Sequence, residues 1–128
     1  MKKVLFVCVE NSCRSQIAEA FANIHGRTDI FAFSAGSRPS GIINPKAIAT
    51  MREVGYDLTV HESGSLDIVP PYKFDYIIKM GCGDNCPQVR AINAEDWAIP
   101  DPKDMDMEEF REIRKLIESK VKDLLERL

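Results

Sequence analysis

The residues best suited to chemistry stand near the start of the chain, in Cys8-Val9-Glu10-Asn11-Ser12-Cys13-Arg14-Ser15. This segment joins an apolar run, Lys3 to Val9, to an amphipathic stretch, Ser15 to His25. A loop between a strand end and a helix start turns successive backbone N–H groups into one concavity, and the helix N-terminus adds partial positive charge. Such a cup suits a tetrahedral oxyanion such as phosphate or arsenate. A cysteine at its rim feels the same field, which favours the thiolate, the nucleophilic form. Arg14 places a planar fork at the far rim, able to take two oxygens of the anion. Ser15 can donate a hydrogen bond to the thiolate. Asn11 tolerates unusual backbone angles and can tie the loop to itself. Val9, Glu10, Asn11, Ser12, Cys13, Arg14 and Ser15 are therefore expected to bind the oxyanion beside a nucleophilic Cys8. A lone cysteine at a strand end is usually buried and inert, but C-x5-R followed by Ser between strand and helix is far more specific. Neither G-x-x-x-x-G-K-[ST] nor G-x-G-x-x-G occurs, so the nucleotide-binding alternatives are weak.

Two later segments complete the candidate chemistry. Displacement at phosphorus or arsenic needs an acid to protonate the leaving oxygen, and Asp101-Pro102 supplies a carboxyl on a stiffened loop. Alone, an Asp-Pro pair is only a turn signal; beside C-x5-R it becomes a candidate general acid. Cys82 and Cys86 lie in the polar, glycine-containing segment Gly81-Cys82-Gly83-Asp84-Asn85-Cys86-Pro87. Two cysteines so spaced can meet by modest backbone movement, and thiol–disulfide exchange needs such a pair. A rival reading joins Cys8, Cys13, Cys82 and Cys86 in an all-cysteine zinc site, though zinc requires neither Arg14, Ser15 nor Asp101. In another, Cys82 and Cys86 are small buried residues, which the polar Gly-Asp-Asn between them opposes.

The elements that must hold these residues alternate. The run Lys3 to Val9 suits a strand buried on both faces. Ser15 to His25 carries a helical stripe of Ile17, Ala18, Phe21, Ala22 and Ile24, ended by Gly26. Ile30 to Ser34 reads as a second strand. Asn44 caps a second helix with Pro45 in its first position, running to Val54 and closed by Gly55. Residues 56–74 look irregular. Asp75 to Met80 reads as a third strand and Glu95 to Ile99 as a short fourth. From about Met107 one long helix carries Phe110, Ile113, Ile117, Leu124 and Leu128 on a stripe, with a solvated charged face. This alternation predicts an α/β fold with a four-stranded parallel sheet and helices on both faces, a three-layer arrangement. Ligands in such sheets sit beyond the carboxyl ends of the strands, where all three candidate segments fall. His25 is expected as a cation at a helix C-terminus, His61 as a solvated loop histidine, and Trp97 as core.

Composition narrows the class. The 128 residues, 45% hydrophobic and 29% charged with a net charge of −3, fit one globular domain over 1–128. They exclude a basic nucleic-acid-binding protein and a low-complexity chain. No apolar run approaches the roughly 18–20 residues of a membrane span. The run Val4 to Val9 stops at Glu10, too short for a signal-peptide core of about 7–15 residues. A cytoplasmic protein is expected, and in that reducing compartment four cysteines favour reactivity or metal binding over a disulfide scaffold.

CVENSCRS, the following QIAEAF, Ser34-Ala35-Gly36, Asn44-Pro45-Lys46-Ala47, the Cys82/Cys86 pair and Asp101-Pro102 together resemble the low-molecular-weight protein tyrosine phosphatase superfamily, and within it the thioredoxin-coupled arsenate reductases. The resemblance spans nearly the whole chain. It implies that the Cys8 thiolate attacks arsenate with help from Asp101 and that Cys82 then attacks Cys8, releasing arsenite. Cys86 next attacks Cys82, and thioredoxin reduces the resulting Cys82–Cys86 disulfide. A dithiol supplies the two electrons, so neither cofactor nor metal is implied. Glu19 and Ser34 match positions that bind potassium in some related reductases, but Gly64 stands where that site has aspartate. Glu10 replaces the family's usual glycine, a carboxylate that disfavours anions unless it points outward. The phosphatases follow Asp-Pro with aromatic residues; Lys103-Asp104-Met105 here argues against a phosphotyrosine specialist. The alternative is a phosphatase on phosphate monoesters using Cys8, Arg14 and Asp101 alone. A non-catalytic zinc or anion sensor is the remaining class.

Overall fold

The computed structural model describes residues 2–70, 72–81 and 91–128. Strands β1 (Lys2–Cys8), β2 (Ile30–Gly36), β3 (Phe74–Lys79) and β4 (Ala91–Asp96) form one sheet in the order β2-β1-β3-β4. Every pair is parallel, with Val4 beside Ala32 and Tyr76, and Ile77 beside Ala94. β1 is central, which explains why Val4 to Cys8 are all buried. Its alternation sends Val4, Phe6 and Cys8 to one face and Leu5 and Val7 to the other. Helices α1 (Arg14–His25), α2 (Pro45–Arg52) and α3 (Met107–Arg127) pack over the first face through Ile17, Phe21, Met51, Phe110, Ile117 and Leu124. On the second face, Phe33, Leu66, Val69 and Ala91 pack around Leu5, Val7, Ala35, Phe74 and Ile77.

The local signals act as expected at several ends. The Asn44 side chain accepts from Lys46 N–H at 2.8 Å and Pro45 opens α2. α3 begins with a capping box, in which Asp106 Oδ1 accepts from Glu109 N–H at 2.8 Å and Glu109 reaches back to Asp106 N–H. α2 stops at Arg52 rather than Val54, and Gly55 (φ +83°) turns the chain away. The fourth strand lies at 91–96, not 95–99. It is an edge strand whose Ile92, Asn93 and Ala94 are exposed, so it carries no apolar run for sequence patterning to find. The buried Trp97 and Ile99 belong instead to the loop that leads towards Asp101.

Glu53, just past α2, accepts from Arg111 at 2.9–3.1 Å and from Arg114 at 2.7 Å, fastening α2 to α3. The Arg111 hydrogen bonds, then those from Arg114, pull its carboxyl from 4.5 down to about 2. A carboxyl depressed by folding stabilises the fold above its unfolded value and loses that contribution as pH falls through the folded one. Between pH 4.5 and about 2, the melting-temperature gap between the wild-type protein and Glu53→Gln should close; a gap that persists at the acid end would show the ion pairs contribute nothing.

Candidate active site

The loop from Cys8 to Ser15 leaves the carboxyl end of β1 and runs into α1. Its carbonyls are turned outward and held. Cys8 C=O accepts from Ser37 N–H (3.2 Å), Val9 from Arg38 (2.8 Å), Glu10 from Ser40 (3.0 Å) and Ser12 from Asn44 (3.0 Å). The Ser63 hydroxyl also donates to Glu10 C=O at 3.1 Å. With the carbonyls engaged outside, the peptide planes direct N–H groups to the inner side. Among the described residues, no protein acceptor takes the N–H groups of Glu10 to Ser15. Cys13 is the N-cap of α1 and makes no side-chain cap, so the first-turn donors stay open. The result is a concave ring of donors with the helix dipole behind it.

Two residues set the curvature. Asn11 takes φ +52°, the left-handed conformation in which asparagine is one of the few tolerated residues. Gly36 faces the loop so closely that a Cβ there would lie 2.7 Å from Val9 O and 3.0 Å from Asn11 N. Asn11 is fully buried; its Oδ1 accepts from Gly64 N–H at 3.0 Å, which leaves its Nδ2 to donate to Ser15 Oγ at 2.7 Å. The Ser15 hydroxyl already accepts that bond, so its proton is free for Cys8 Sγ, 2.9 Å away. The chain Gly64–Asn11–Ser15–Cys8 thus aims one hydroxyl donor at the sulfur, as a thiolate requires.

Arg14 is 6% exposed. Its Nη1 donates to Ile99 C=O at 3.0 Å, and its Nη2 lies 3.7 Å from Asp101 Oδ2. Gly81 (φ +86°) leaves it room: a Cβ there would sit 2.3 Å from Nη1. Asp101 is half-exposed beside the guanidinium and accepts from Lys103 N–H at 3.0 Å. The structure therefore brings together Cys8, Arg14, Ser15 and Asp101 from β1, α1 and the loop after β4. Cys13 is buried, and that burial pushes its thiol up to about 11, so it stays protonated and is unsuited as a nucleophile. Cys82 and Cys86 lie outside the described residues, as does any test of the zinc alternative that needs them. Among the described residues no three His, Cys, Asp or Glu side chains converge on a metal position.

Sequence reasoning misses the support behind the loop. It places His61 in solvent, yet the side chain is 5% exposed. The ring receives partners on both nitrogens, Gln16 Oε1 at 2.9 Å and Tyr56 Oη at 2.6 Å, which offsets its loss of water. Burial pushes its pKa below the ordinary 6.5. Gln16 in turn donates to Asn11 C=O at 3.0 Å and Glu62 C=O at 2.8 Å, bracing the loop from behind. Glu19 accepts from the Ser34 hydroxyl at 2.6 Å, and burial raises its carboxyl. His25, at the end of α1 as expected, lies 2.7 Å from Glu118.

A buried sulfur facing a hydroxyl, a ring of open N–H donors, a buried guanidinium and a nearby carboxyl form a concavity that can accommodate a tetrahedral oxyanion. Residues 3–128 match the family described as low molecular weight phosphotyrosine protein phosphatase. The chain belongs to that family. Within this phosphatase family it is similar to a glutaredoxin arsenate reductase of Synechocystis, 39% identical over 131 residues that cover 100% of this chain and 99% of the relative. A solved arsenate reductase in a phosphate-binding state is 39% identical with a TM-score of 0.89, covering 99% of this chain and 98% of its own. A thioredoxin-dependent arsenate reductase of Corynebacterium glutamicum is 29% identical with a TM-score of 0.80, over 99% of this chain and 61% of that one. The family's α/β sheet of four parallel strands is the fold seen here. No helix among the described residues is long and apolar enough to cross a membrane.

Proposed function

We propose that this chain reduces arsenate to arsenite. The 2.9 Å hydrogen bond from Ser15 to Cys8 Sγ, inside a loop whose N–H groups are free and whose Arg14 is buried, carries the oxyanion-displacement step, and the Cys82/Cys86 pair directs that step to arsenate. Cys8 is the nucleophile. The N–H groups of Val9 to Ser15, with the Arg14 fork, hold the oxyanion. The thiolate attacks arsenic and Asp101 protonates the leaving oxygen, which departs as water. Cys82 then attacks the Cys8 sulfur. The Cys8–arsenic electron pair passes to arsenic, arsenite leaves, and a Cys8–Cys82 disulfide remains. Cys86 attacks Cys82, frees Cys8 and forms a Cys82–Cys86 disulfide. A dithiol protein of the thioredoxin class returns the two electrons; the similar Synechocystis protein is a glutaredoxin arsenate reductase, so glutaredoxin with glutathione is the second reductant to test.

A second reading is phosphate monoester hydrolysis by Cys8, Arg14 and Asp101, and the family description favours it. The Cys82/Cys86 pair and the absence of aromatics after Asp101-Pro102 favour arsenate. The deciding experiment measures arsenite formation with thioredoxin, thioredoxin reductase and NADPH, or with glutaredoxin, glutathione and glutathione reductase, beside hydrolysis of an aryl phosphate. Cys82→Ala should abolish arsenate turnover while any phosphatase activity survives, because only the relay uses that sulfur. If both activities fall together, Cys82 is structural and the relay is wrong.

A further inference from the structure

Glu10 is out of place in a loop whose other features favour anions. Its carboxylate meets a partner from another loop, Lys103 Nζ, 2.8 Å from Glu10 Oε2. The same lysine is anchored at its other end, where its backbone N–H donates to Asp101 Oδ1 at 3.0 Å. Asp101 in turn lies 3.7 Å from Arg14. Glu10, Lys103, Asp101 and Arg14 thus alternate in sign along one side of the cup. Lys103 and Glu10 are 51% and 31% exposed in their side chains, too open for the pair to contribute much to the fold. An uncompensated carboxylate at that rim, by contrast, repels every anion that approaches, and a dianion twice as strongly as a monoanion.

We propose that Lys103 is an affinity-determining residue, whose ammonium cancels the Glu10 carboxylate at the mouth and so removes its repulsion of a dianionic tetrahedral substrate. This rests on the oxyanion-binding reading above. Lys103 acts through Glu10 and not on the reacting atoms, so its loss raises KM and leaves kcat nearly unchanged.

The test uses inorganic phosphate as the probe, by its protection of Cys8 from alkylation, together with the KM for arsenate. Lys103→Met should weaken phosphate binding about tenfold, or about 1.4 kcal/mol, at low salt, and less at high salt because screening weakens the Glu10 repulsion. Lys103→Arg should bind like the wild type. Adding Glu10→Gln to Lys103→Met should recover most of the loss, a rescue that a misfolded loop would not give. The proposal is overturned if Lys103→Met stays within about twofold of the wild type, the error of such comparisons. It is also overturned if the double variant binds no better than the single one. If phosphate fails to protect Cys8 in the wild-type protein, the oxyanion reading itself falls; if it protects there and the variants do not differ, only the role of Lys103 falls.

Discussion

Cys8→Ser should lose both arsenate reduction and any phosphatase activity, by about 10⁴-fold or more, the scale on which enzymes lose turnover with their nucleophile. The substitution changes little in size. Its effect comes from the attacking atom: sulfur can be presented as a thiolate, a strong nucleophile, and a serine hydroxyl with no base beside it cannot. Ser15 Oγ, 2.9 Å from the sulfur, aims one donor at that position, and Asn11 Nδ2 holds the hydroxyl in the donating sense. The same arrangement around a serine oxygen finds no anion to stabilise at neutral pH. The donor ring and Arg14 are untouched, so phosphate binding by calorimetry should persist while turnover vanishes. Appreciable turnover in either assay would remove Cys8 as nucleophile, and simultaneous loss of phosphate binding would show instead that the loop had collapsed.

Arg14→Lys should lower kcat/KM for arsenate by roughly 10- to 150-fold, about 1.5–3 kcal/mol, the contribution of a hydrogen bond to a charged group. Charge is conserved, so a purely electrostatic role predicts almost no change. The guanidinium is held as a plane: Nη1 on Ile99 C=O at 3.0 Å, Nη2 3.7 Å from Asp101, and a glycine, Gly81, opposite it where a Cβ would come within 2.3 Å. An ammonium is a point donor on a flexible stem and cannot serve the carbonyl, the carboxylate side and two substrate oxygens together. Steady-state kinetics with a parallel thermal melt check this. Wild-type kcat/KM in Arg14→Lys would reduce Arg14 to a positive charge and leave the fork geometry without function.

How much of the site is legible in residue order follows the range of the interactions. Cys8, Arg14 and Ser15 stand within one turn and one loop, and the Asn11 backbone angle follows from its side chain, so local pattern suffices for them. β1 is legible because both its faces are buried and its apolar run is unbroken. Patterning places β4 four residues late because its exposed edge carries no such run and Trp97 and Ile99, outside the strand, do. His61 escapes it for a related reason. Its burial depends on Gln16, 45 residues earlier, and on Tyr56, and no periodicity announces a side chain whose partners come from another element.

The sequence by itself determined the C-x5-R loop, the Asp-Pro pair and the alternating α/β order, since each is written in residue types at short spacing. Only the tertiary structure decided how the cup is held open. The outward anchoring of its carbonyls by residues 37–44, the brace from Gln16 and His61, the seat of Arg14 between Ile99 and Gly81 and the Glu10–Lys103 pair all join segments far apart in the chain. Residue order encodes such contacts only through the closure of the whole sheet, because a hydrogen bond needs two groups within about 3 Å, and folding alone brings these groups that close.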